Sequence, residues 1–123
     1  MNAFVARLLA SDPNDDLGLA LFGIWAIREA LEEGKKAPDA ALAAAAVWFV
    51  YAGSTLWKYS REGKTFDGKV AKPGSAFQDN EWRGFSQARW GAWQEKLNDA
   101  QGQVFDTTAV DLVQQAIEAM KAR

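Results

Sequence analysis

At 123 residues, with a formal charge of -2 and neither cysteine nor histidine, the chain reads as a single domain, residues 1–123, able to bury about two thirds of the surface its unfolded form exposes. The missing cysteines exclude disulfides, thiolate nucleophiles and zinc-thiolate sites and point to a cytoplasmic protein. The missing histidines remove the commonest metal ligand and the usual base near neutral pH, so no metal and no cofactor are expected and enzyme activity is disfavoured.

In chain order, a short helix is predicted over about residues 2–10, with Phe4, Val5, Leu8 and Leu9 on its apolar side. One arginine and no long apolar core in this stretch do not make a signal peptide. Ser11-Asp12-Pro13-Asn14 ends the helix. Asp15 or Asp16 then caps a second helix that runs to about Glu33 and stops before Gly34. Its apolar stripe is Leu17, Leu21, Ile24, Ile27 and Leu31. Helical projection puts Arg28 within that stripe and Glu29, Glu32 and Glu33 on the other side. The acidic pairs Asp15-Asp16 and Glu32-Glu33 read as a helix start and a solvated face rather than as acid/base dyads.

The third helix is the hydrophobic centre of the chain. Ala40 to Trp57 are eighteen residues without a charge, apolar on every side of the projection. That is the lower edge of a membrane span. The alanine excess, Tyr51, Gly53, Ser54 and Thr55 favour instead a central helix, about residues 38–60, surrounded by its neighbours, with no membrane. A bend is expected at Gly53-Ser54.

Residues 61–85 form the least regular stretch, with four glycines, one proline and scattered aromatics. A loop this long in a small domain is usually functional or mobile; a short helical turn is expected near Phe77 to Trp82. Lys58, Arg61, Lys64, Lys69 and Lys72 outnumber Glu62 and Asp67 nearby, a solvated surface rather than a track for phosphates, so no nucleic acid is expected.

The densest signal follows. Trp82 to Trp93, WRGFSQARWGAW, holds three of the six tryptophans and two arginines. Ser86 is a good N-cap for a helix from Gln87 to about Gly102, and Phe85 and Trp90 have the spacing of a hydrophobic staple. Trp90, Trp93 and Leu97 form its buried stripe. Arg89 is the odd member, because a cation in the first turn meets the positive end of the helix dipole. Something tertiary must compensate: the face of Trp93, or an acid such as Glu81, or else the carboxylate of a ligand or partner. A last helix is capped by Asp106 or Thr107 and shows Ala109, Leu112, Val113, Ala116, Ile117 and Met120 at helical spacing. The fold class is therefore all-α, a compact bundle of about five helices around the central one, with a long irregular loop.

AAAVWFVYAGSTLWKYSREGK, WRGFSQARWGAW and the closing helix with Met120, together with NAFVARLL and LFGIWAIREALEE, resemble the fungal family designated domain of unknown function 3632, over nearly the whole chain. The most specific element is Gly84-Phe85-Ser86-x-x-Arg89-Trp90-x-x-Trp93, supported by Trp25-Ala26-Ile27-Arg28 and Tyr51-Ala52-Gly53. The resemblance implies a fungal, intracellular, helical protein with no activity to carry over, and marks Arg28 and Arg89 for scrutiny. Members tend to be longer, with helices ahead of the point matching Met1, and often have an acid where this chain has Ala88. The chain is thus expected to be a short member or the C-terminal portion of a longer domain.

Two functions compete. One is a non-catalytic protein-interaction or self-association module, a homodimer or a complex with another protein that covers apolar surface left on the central helix. The alternative is a small-molecule binder or cofactor-free enzyme, in which Arg28 and Arg89 converge on an anion-accepting pocket with Trp25, Trp90, Trp93 and Tyr51.

Overall fold

The computed structural model describes residues 2–12, 15, 18–33 and 37–122. Pro13-Asn14, Asp16, Leu17 and Gly34, invoked above as helix end, cap, stripe and stop, lie outside the described residues.

Five α-helices follow one another: α1 (Asn2–Ala10), α2 (Ala20–Leu31), α3 (Asp39–Glu62), α4 (Gln87–Ala100) and α5 (Thr107–Lys121). The protein is all-α as expected. Helix α3 is the axis, with α5, α1, α2 and α4 all packed against it. Eleven of its residues are buried, among them Leu42, Trp48, Phe49, Leu56 and Tyr59. Each fully buried aliphatic or aromatic side chain contributes about 1.5–3 kcal/mol. By length and composition α3 could cross a membrane, but 50 % of its apolar window is covered inside the protein, which accounts for that apolarity. Its outward line, Ala40, Tyr51, Ser54 and Lys58, is small or polar apart from Tyr51. The backbone leaves helical geometry at Ala52 (φ -125°, ψ 17°), one residue before the expected bend.

Caps set the other boundaries. Asp15 accepts from the backbone N–H groups of Leu19 (2.5 Å) and Ala20 (3.0 Å) and so steadies the start of α2 from outside the helix, while the N-cap position itself is Leu19, which makes no side-chain cap bond. Asp106 accepts from the N–H of Ala109 at the start of α5, where its negative charge also suits the helix dipole. Asp39, in the first turn of α3, accepts from the N–H groups of Phe105 (3.0 Å) and Asp106 (2.8 Å). One carboxylate thereby brings the beginnings of α3 and α5 together, and the two helices run in the same direction.

Two sequence expectations are corrected here. The apolar side of α1 does not all face inward: Ala6 and Leu9 are buried, while Phe4 and Leu8 are 66 % and 38 % exposed. The Phe85–Trp90 staple is replaced by a wider cluster. The Phe85 ring meets Tyr59, Phe66 and Trp93, and Trp90 meets Phe49 edge to face and Trp57 at a tilt.

Candidate functional site

Ser86 begins the site. Its hydroxyl accepts from the N–H of Arg89 at 3.1 Å, which sets the first turn of α4. Side chains on a helix lean toward its N-terminus, so Arg89 points back into the molecule and is fully buried. Opposite it stands Glu32, the residue that closes α2, with its N–H bonded to the carbonyl of Arg28. Glu32 is also fully buried, against the expectation of a solvated face. Chain direction changes at the helix end, so the α2 projection no longer applies there.

The two form a bidentate ion pair: Arg89 Nε donates to Glu32 Oε2 at 2.7 Å and Nη2 to Oε1 at 2.8 Å. The remaining donors are also committed. Nη1 reaches the carbonyls of Ala71 (2.8 Å) and Gly84 (2.9 Å), and Nη2 that of Lys72 (3.1 Å). That accounts for all five N–H groups a guanidinium has. Glu32 further accepts from Trp93 Nε1 on Oε2 and from the N–H of Gly74 on Oε1. Breaking a buried pair by removing one partner costs about 3–5 kcal/mol, since the other is left charged and alone; here every lone pair and proton has a partner. The guanidinium also lies 5.4 Å from the Trp93 ring and 5.5 Å from the Trp82 ring. The Trp93 face is the partner foreseen from the sequence, but the acid is Glu32, not Glu81, which is exposed.

What these groups hold is the loop between α3 and α4. Its neck is closed by backbone bonds from Phe66 N–H to Arg83 O and from Phe85 N–H to Lys64 O, both 2.7 Å. A side chain at Gly84 (φ +151°) would put its Cβ 2.3 Å from the Lys64 carbonyl oxygen, so the neck requires glycine. Within the loop lie two 3-10 turns, Lys69–Ala71 and Ser75–Phe77; the helical turn expected near Phe77 to Trp82 thus falls slightly earlier. The second turn rests on the end of α2. Ala76 N–H donates to Glu32 O at 2.8 Å, Ser75 Oγ to Glu33 at 2.7 Å, and a Cβ on Gly74 would meet the Glu32 carbonyl at 2.6 Å. Arg28 joins from the side, donating to Lys69 O at 2.8 Å and standing 3.9 Å from Glu33.

The sequence-predicted residues thus separate into two groups. Arg28 and Arg89 do converge, but on carbonyls of one loop turn. Trp90 and Trp93 are buried in the aromatic core, Trp25 is 53 % exposed on α2, and Tyr51 lies on the outward line of α3 with Arg7 over its ring at 4.4 Å. A depression of about 390 Å³ beside the contact of the loop with the end of α2 is lined by Leu31, Glu33, Leu42, Ala76, Lys96 and Asp99 among others, with no tryptophan or arginine. Among the described residues no group of three or more acidic side chains is placed to hold a metal. On α3, burial pushes the Tyr59 hydroxyl up to about 12, with Asp15, Asp12 and Glu62 adding to the shift.

The family model described as "Protein of unknown function (DUF3632)" matches residues 1–97. The chain belongs to this family. The match to DUF3632 takes in α1, α2, α3, the clamped loop and most of α4, so Glu32, Arg89 and Trp93 all lie inside it, while α5 lies beyond it. A search of curated proteins finds no match, and a search of solved structures finds none.

Sequence reasoning missed Glu32. A signal was present: Glu32 puts a negative charge at the C-terminal end of one helix, and Arg89 a positive charge at the N-terminal end of another. Each opposes its own helix dipole, and each is the remedy for the other.

Proposed function

We propose that this protein is a cytoplasmic, non-catalytic helical module that works by self-association or by binding another protein. The observation that carries this reading is the internal commitment of the Arg89 and Glu32 groups. The guanidinium with the strongest claim to an anionic ligand has no donor left to offer one, and its work is to pin a loop. Support comes also from the surface. Phe4 is 66 %, Phe22 53 %, Trp25 53 % and Phe105 79 % exposed, and aromatic side chains in solvent are what protein interfaces use as anchors. Phe22 and Trp25 lie three residues apart on one side of α2.

Sedimentation equilibrium over low to high micromolar concentration, paired with native mass spectrometry, tests the reading. A concentration-dependent dimer, or a stoichiometric protein partner, is the expected result. A strict monomer that carries a discrete small-molecule adduct would sink it and favour the small-molecule alternative.

A further inference from the structure

Helix α2 exposes Phe22, Trp25 and Glu29 and covers the rest of its length. The spacing is i, i+3 and i+7, so the three form one line on the outer side of the helix, turned away from the buried Ile24 and Ile27. Among the described residues nothing holds these side chains: neither ring meets another ring or a cation, and Glu29 has no hydrogen bond or ion pair. Glu29 stands in the last turn of α2, where the dipole is negative, so its charge is opposed just as that of Glu32 is. Glu32 is answered from within by Arg89. No described cation answers Glu29. Its neighbour Arg28 donates to the Lys69 carbonyl and stands 3.9 Å from Glu33, which in turn holds Ser75. At about 100° per residue, Arg28 falls on the opposite side of Trp25 from Glu29, toward the loop that carries Lys69 and Lys72.

We infer that the Phe22, Trp25 and Glu29 line is a docking surface for a basic amphipathic segment of another protein, whose apolar side chains cover the two rings and whose arginine lies on Trp25 and pairs with Glu29. Anchors at this spacing are how a helix meets a helical partner. Charge and geometry select the occupant. Trp25 and Glu29 are one turn apart, about 5–6 Å between their Cβ atoms, so a single guanidinium spans both, its plane on the indole and two N–H groups on the carboxylate. The same combination holds Arg89 inside the protein, between Glu32 and Trp93. A second copy laid α2 against α2 lacks the cation. Its exposed line carries none, and an antiparallel approach brings Asp15, at the start of the helix, up to Glu29.

The inference rests on the protein-binding reading and is tested apart from it. The probes are amphipathic helical peptides with a leucine-rich face, identical except for Arg, Gln or Glu at one position. They are titrated into isotopically labelled protein and followed by chemical-shift mapping. The Arg peptide is expected to bind tightest and to shift Phe22, Trp25 and Glu29 while α5 stays unmoved. Trp25→Ala should weaken it roughly tenfold or more. Glu29→Lys should reverse the ranking, so that the Glu peptide binds best. Both side chains are exposed, so thermal melts of the variants should match the parent. Peptides that bind the parent alike, or that leave this line unshifted, overturn the inference. A concentration-dependent dimer that W25A abolishes also overturns it, because the occupant is then a second copy. In these cases protein interaction by another face or partner stands; a strict monomer that carries a small-molecule adduct and binds no peptide overturns both.

Discussion

The α3–α5 seam and the α3–α4 loop are stabilised by different physics. Along the seam α5 turns Ala109, Val113, Ala116, Ile117 and Met120 inward, all buried, and the stabilisation is spread over many apolar contacts of modest individual weight. The loop offers little of that kind, since Lys69, Val70, Lys72, Ser75, Ala76 and Gln78 are exposed. It is held instead by Glu32 and Arg89, which reach backbone groups of Ala71, Lys72, Gly74 and Gly84. A segment too polar to bury itself can still be ordered by a few buried charges, but only if every polar group involved finds a partner. The seam should therefore tolerate conservative change where the clamp does not.

Replacing Arg89 by Ala gives the largest expected effect, a loss of about 3–5 kcal/mol measured by urea unfolding, because Glu32 is left charged and three carbonyls lose their donor. For a domain whose whole stability is typically about 5–15 kcal/mol, that approaches unfolding. Hydrogen exchange sharpens the contrast: in a folded R89A chain the amides of Gly74 and Ala76 should lose protection before those of α5. Equal loss in both regions would show that loop and seam form one cooperative unit.

Trp93→Phe keeps the ring and removes one donor to Glu32, so a smaller cost of about 1.5–3 kcal/mol is expected. In the seam, Ile117→Val should cost only about 0.5–1.5 kcal/mol. If its effect exceeds that of W93F, the seam is the less tolerant region and the comparison fails.

The smallest effect concerns pH. With its hydroxyl pushed up to about 12 from 10.0, Tyr59 keeps its proton more tightly in the folded chain than in the unfolded one. Its contribution to stability is complete below about pH 10 and is lost as the pH rises toward 12. Unfolding curves of the parent and Y59F across that window should converge on the alkaline side.

Much of the candidate site was legible. The first turn of α4 marked Arg89 as a charge needing a tertiary partner, and Trp93 four residues on was correctly placed against it. Glu32 was not found, because projecting α2 as a continuous helix carries it to the solvent side, whereas the helix ends at Leu31 and the chain turns. Trp25, which the small-molecule alternative gave to a pocket with Arg28 and Arg89, stands half in solvent, because α2 buries its Ile24 and Ile27 side.

Local chemistry alone accounts for the helices, since the caps at Ser86 and Asp106, the Asp15 carboxylate ahead of α2 and the apolar period act over a few residues. It also accounts for the central place of α3, because a helix with apolar residues over most of its circumference needs neighbours on several sides. Which acid answers Arg89, how residues 63–86 fold back on the end of α2, and which aromatic side chains remain in water were decided only by the packed chain. Those outcomes depend on groups up to 57 positions apart whose charges cannot be buried until the helices that carry them have met.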